Sequence, residues 1–251
     1  MENTVLAGRR AGFWRRFAAL LIDSLIVLIP LQILVAVLFA YTNGAVQGNF
    51  GFVINVCGPV SPIPTGLQPP PPEGANQATL CSSSFFGFET ARLLTVATVT
   101  TTGNNTSSVF QTYGVSADGN VRDDVFDADT VAYIVLLAYL VWMEFRQGQT
   151  LGKRLLSIRV VALSNPAKIG VPLGKALKRY AVMLLGVWIM IVALLLVWFL
   201  SGSLENAVSW MPVLIAGGLI SVAWMLWIVV SVARKTDPIH DRLAGTAVVM
   251  T

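Results

Sequence analysis

Arg15-Arg16-Phe-Ala-Ala-Leu-Leu-Ile-Asp23 opens the first apolar run of the chain and decides how the rest is read. The run continues through Leu25-Ile-Val-Leu-Ile-Pro30 to Tyr41, longer than the roughly 20 residues an α-helix needs to cross a bilayer. Asp23 is therefore expected inside a membrane helix, where a carboxylate costs on the order of 2.5–3.5 kcal/mol. A residue that costs this much is expected to have a partner or a task. Arg16 and Asp23 are about two helical turns apart, on one stripe and roughly 10 Å from each other. Both side chains lean toward the helix N-terminus, and Arg16 can reach the interface. A direct bond between them is not expected. Asp23 should meet a donor from another helix or sit protonated, and it reads either as a pin between helices or as a point that binds a cation or proton.

Composition supports a membrane protein. Of 251 residues, 55% are hydrophobic and 12% charged, with a mean hydropathy of +0.70, whereas soluble domains carry about 25% charged residues. Further apolar stretches at 131–145, 180–200 and 211–233 predict an all-α membrane protein with four transmembrane helices and both termini on one side. The organisation expected is an N-terminus and first helix over 1–41, an insert over 42–130, and helices 2 to 4 with a basic connection and tail over 131–251. Arg9-Arg10 ahead of an apolar run resembles a secretion signal, but the run is too long and contains Asp23, so an uncleaved span is expected.

Arg9, Arg10, Arg15 and Arg16, and then Arg146, Lys153, Arg154, Arg159, Lys168, Lys175, Lys178 and Arg179, crowd the N-terminus and the 146–179 connection. The positive-inside rule puts both in the cytoplasm and the acidic 42–130 insert outside, with Glu205 in a second outer loop. The net charge of +4 is thus directed at anionic lipid head groups. No aromatic-interleaved basic motif points to nucleic acid.

The insert is polar and broken by prolines, with a 69–72 proline run read as a polyproline-II spacer or lid. Strand-like pieces lie at 50–56, 93–100 and 109–115, and a turn at 117–120 predicts a hairpin with 121–126. Cys57 and Cys81, the only cysteines, read as one disulfide in an oxidising compartment, with two free thiols as the alternative; a metal site lacks a CxxC pair. Asn104-Asn-Thr106 matches a glycosylation sequon and is assigned no function. An insert of this length reads as a small cap or partner surface.

Glu144 ends the expected second span and reads as an interfacial residue, with membership of an acidic pair as the alternative. Gly148-Gln-Thr-Leu-Gly152-Lys153-Arg154 has three residues between its glycines and an arginine after the lysine, so it is not a phosphate loop. His240-Asp241 lacks a nucleophile and reads as part of a charged cluster. With no metal cluster and one histidine, no cofactor and no enzymatic activity are expected.

Three runs, 12–23, 148–161 with its GQTLGKR core, and 240–249 with HDRLAGT, resemble the RDD family of bacterial membrane proteins. The family's signature arginine and two aspartates map to Arg16, Asp23 and Asp241, with Glu144, Gly148, Thr150, Gly152, Lys153, His240, Gly245 and Thr246 in the supporting motifs. The resemblance covers about two-thirds of the chain and leaves out the insert. It implies a bacterial inner membrane location and a suspected role in transport, with cation/proton exchange in some members. It also suggests that 157–161 and 246–249 pair as short strands. The functions to be weighed are a small cation or proton transporter, in which Arg16 and Asp241 gate Asp23, and a non-catalytic accessory subunit of a larger membrane complex. Lipids, and either copies of itself or other membrane subunits, are the expected partners.

Overall fold

A computed structural model of the chain describes residues 10–103, 105–201, 210–234 and 236–251. Arg9, the sequon's Asn104 and Glu205 of the 201–210 loop lie outside the described residues. The chain falls into two compact units, 24–136 and 1–23 with 137–251.

Helix α1 (Phe13–Tyr41) is an apolar rod with one internal proline, Pro30. Beyond Ser24 it belongs to the first unit, where Phe50 and Val35 are buried with Ala128 and Ala132. The insert that follows is a β-domain. Strands β2 (Ile54–Pro59), β3 (Gln77–Phe85), β4 (Phe88–Thr102), β5 (Asn105–Val115) and β6 (Val121–Arg122) form an antiparallel sheet in sequence order. The β3–β4 connection is a tight turn with Phe86 at φ 49 and Gly87 at φ 87, the conformation that suits a twisted two-residue hairpin. Leu94, Val96, Tyr113, Val115 and Ala78 form the core with Leu67 from the β2–β3 loop. The proline run belongs to that loop, whose Val60, Ile63 and Ala75 pack on the core, and Tyr113 Oη donates to Pro69 O at 2.9 Å. The expected hairpin at 117–120 is short: β6 pairs only at Gly114↔Arg122 and Val115↔Val121. Phe126 and Asp127 instead form β7 (Phe126–Asp127), parallel to β1 (Val46–Gln47). Cys57 and Cys81 face each other across β2 and β3 and form a disulfide.

The second unit contains the rest of α2 (Asp129–Gln147), α3 (Leu151–Leu155), β8 (Ile158–Ala162), α4 (Leu173–Met183), α5 (Leu185–Ser201), α6 (Met211–Ala233), α7 (Ile239–Ala244) and β9 (Thr246–Met250). β8 and β9 pair antiparallel from Ile158↔Met250 to Ala162↔Thr246, as the resemblance suggested. Helices α5 and α6 meet through small residues: Ser221 Oγ donates to Gly186 O at 2.7 Å, and a Cβ on Gly217 would stand 3.2 Å from that of Ala193, the close approach small residues permit between helices.

The all-α, four-span expectation fails on two counts. The fold is mixed α/β, with a five-stranded sheet. Among the described residues two helices, α1 and α6, are long and apolar enough to cross a membrane, or three if the bent pair α4–α5 is one span. The 131–145 stretch lies in α2, whose 19 residues include Asp129, Glu144 and Arg146, so charge interrupts the apolar length. The 180–200 stretch breaks at Leu184, with a 61° bend between Leu173–Met183 and Leu185–Val197. Both termini share one side with two crossings, as with the four expected, and lie on opposite sides with three.

Candidate functional site

Three carboxylates with no exposed surface, Asp23, Glu144 and Asp241, come from α1, α2 and α7 of the second unit. Three cations from α1, α3 and α4 face them: Arg16, Lys153 and Arg179. A buried charge without a partner costs several kcal/mol, so the pairing decides whether this arrangement is tolerable.

Asp23 is held by neutral donors. Gly152 N–H donates to its Oδ1 at 2.8 Å and Tyr139 Oη donates to the same oxygen at 3.0 Å, while Thr150 Oγ1 donates to Oδ2. Thr150 is also the N-cap of α3, accepting from Lys153 N–H at 3.3 Å, the usual role of a threonine at a helix start. One hydroxyl thereby ties α3 both to itself and to α1. Gly152 is required by proximity: a Cβ there would stand 2.2 Å from Ala19 O, so only glycine lets the α3 backbone reach the carboxylate.

Arg179 joins the other two acids. Its Nη1 donates to Glu144 Oε1 and Oε2 at 2.6 and 2.7 Å, and its Nε donates to Asp241 Oδ1 at 2.6 Å. Such charge-assisted pairs are short and directional. Glu144 also accepts from Lys153 Nζ and from Tyr180 Oη at 2.7 Å. Asp241 accepts from Arg16 Nη1 at 3.1 Å and Thr246 Oγ1 at 3.2 Å. The order Arg16–Asp241–Arg179–Glu144–Lys153 alternates in sign along its length.

The electrostatics follow this order. Burial raises the Asp241 carboxyl, but Arg179, His240 and Arg16 outweigh it and hold the group below its usual range. Burial lowers Lys153, with Glu144 opposing. His240 is pushed down to about 4, chiefly by burial, and its Nδ1 has no partner among the described residues.

The sequence-derived residues largely converge. Arg16 meets Asp241 rather than Asp23. Glu144 is buried at the centre of the network, not at an interface, because its helix ends among cations. Gly148, at φ 68, closes α2 by donating to Glu144 O at 2.9 Å and accepts from Val160 N–H at 2.7 Å. Gly245 ends α7 in the left-handed conformation, placing Thr246 back on Asp241. Cys57 and Cys81 lie in the other unit. Arg179, Tyr180 and Tyr139 were missed: Arg179 counted only as a loop charge, and the signal was its position at the head of an apolar stretch.

Apolar helices with a sign-alternating ionic network define the class, a membrane-type protein without a metal-ligating cluster among the described residues. Residues 10–119 and 125–245 match the model of the RDD family, and the chain belongs to the RDD family. The match extends into the insert, which the motif-based resemblance left out. No curated protein and no solved structure matches the chain.

Proposed function

We propose that the chain is a non-catalytic accessory or structural subunit of a membrane assembly, with the ionic network fixing helix ends. The observation that carries this reading is the saturation of Asp23, which receives two side-chain hydroxyls and a backbone N–H, the environment of a pin and not of a carboxylate awaiting an ion. The exposed apolar surface of α6, of which 6% of the membrane-length window is buried, suits packing against lipid, further copies or other subunits. A basic cytoplasmic face and an outer, disulfide-bearing insert in a bacterial inner membrane agree with the Lys/Arg distribution and with where disulfides persist.

Transport is the second reading, favoured by the buried Lys153–Glu144 pair, whose lysine is held below its ordinary value and could exchange a proton. Two or three membrane-length helices enclose little space, so that reading calls for an oligomer. Gentle solubilisation followed by mass measurement separates the two: stoichiometric foreign subunits support the accessory role, and a homo-oligomer supports transport. In proteoliposomes, pH-dependent cation flux abolished by Asp23→Asn would overturn the pin.

A further inference from the structure

The insert carries an aromatic tip whose height can be read along α1. Gln32 accepts from Phe50 N–H at 3.3 Å and donates to Gly48 O at 3.2 Å, and Phe50 is buried beside Val35, Leu31 and Leu28. The 48–50 segment therefore lies alongside α1, about nine residues or roughly 13 Å short of its end at Tyr41.

Strand β4 gives the direction. Arg92 N–H donates to Gln47 Oε1, Gln47 Nε2 donates to Gly44 O, and Gly44 N–H donates to Phe39 O, so Arg92 is level with the end of α1. Thr90 O accepts from Gly48 N–H at 3.0 Å, level with Gln32. Moving from Arg92 to Thr90 thus runs back along α1 into its apolar length. Phe88 and the Phe86-Gly87 turn continue that way by about 3.3 Å per residue. Ile54, paired with Ser84, and Phe52 accompany them.

These side chains are exposed: Phe86 83%, Phe88 70%, Ile54 66% and Phe52 63%. Phe86 also occupies a left-handed position that Asn or Gly ordinarily fills, so an aromatic is kept there against backbone preference. The acid beside Phe88 is neutralised, since Arg92 grips Glu89 through both carboxylate oxygens.

We propose that the β3–β4 tip and the 52–54 segment are seated in the bilayer leaflet that surrounds this end of α1, with Phe52, Ile54, Phe86 and Phe88 among the lipid head groups and upper acyl chains. Lipid is the occupant because the apolar length of α1 that the tip runs along is itself exposed, at Ile26 and, nearer the helix end, at Ile33 and Leu34, and what covers a membrane helix along that length covers the tip. Phenylalanine and aliphatic side chains of interfacial segments bury into the boundary between head groups and acyl chains, and a tight turn leaves few backbone groups to be satisfied there. The proposal rests on the membrane character of α1 and is independent of the choice between accessory and transport roles.

The test uses the full chain in vesicles of phosphatidylcholine and phosphatidylglycerol, with nitrobenzoxadiazole attached through Phe86→Cys or, in a separate variant, Phe88→Cys. Thr101→Cys, in an exposed residue at the opposite end of β4, is the control. Blue-shifted emission at 86 and 88, with several-fold more quenching by shallow nitroxide lipid than at 101, is expected. Emission matching that at 101 and quenching by aqueous iodide would overturn the proposal. Protection from both quenchers would overturn it as well, by showing a protein on the tip.

Discussion

The two units are held together by different forces. In 24–136 the sheet closes over buried apolar side chains, with Leu94, Val96 and Tyr113 at their centre, and a disulfide joins β2 to β3. In 1–23 with 137–251, buried ions join segments far apart in sequence: Arg179 Nε reaches Asp241, and its Nη1 reaches Glu144. A sheet with a filled core gains from apolar burial in a way that helices facing lipid do not. Burying apolar surface is favourable against water, but lipid tails are as apolar as leucine, so helices surrounded by lipid gain little from hydrophobic contact. Directional polar contacts then supply the order.

The sharpest way to break this contrast is Arg179→Met, which leaves Glu144 and Asp241 short of their shared cation. A loss of about 3–5 kcal/mol is expected, read as a collapse of thermal stability in detergent, and adding Glu144→Gln with Asp241→Asn should recover part of it. No change in melting would show that the ions do not hold this unit. Next in size is Cys57→Ser with Cys81→Ser. Opening a loop of 24 residues' separation should cost about 3 kcal/mol, seen as faster proteolysis within 42–130 while the helical unit melts as before.

Acid should act through His240. Its folded value of about 4 lies below the ordinary 6.5, so between these limits the unfolded chain binds the proton and the folded one does not. Stability is then present above about pH 6.5 and falls by roughly 2–3 kcal/mol as pH drops toward 4. His240→Gln should flatten that slope, and an unchanged slope would assign it elsewhere. The smallest effect is expected at Arg122, which pairs with Asp124 at 2.6 Å on the surface. Exposed pairs contribute little, so Arg122→Gln should leave both units' melting unchanged.

The sequence exposed Arg16, Asp23 and Asp241 because charge inside or beside apolar runs is conspicuous, and it exposed the β8–β9 pairing through β-branched content. It did not expose the bend at Leu184, since hydropathy summed along a segment carries no direction. Glu144 was misread for a related reason: a helix end looks interfacial until the cations of α3 and α4 fold over it. Strand β3 was overlooked because Ser82-Ser83-Ser84 has weak strand preference and gains its conformation from pairing with β2 and β4. The insert's core was obscured in the same way, since Leu67 comes from a loop that its prolines made look like a spacer.

The Arg16–Asp241 contact joins residues 225 positions apart, and that separation has a consequence for biosynthesis. Arg16 precedes every other ion of the network along the chain, and Asp241 follows them all. A polypeptide interrupted at any point between Arg179 and Asp241 therefore holds two guanidinium groups and lacks the acid they share. An incomplete product therefore carries an excess of positive charge at a place that the finished chain buries in balance.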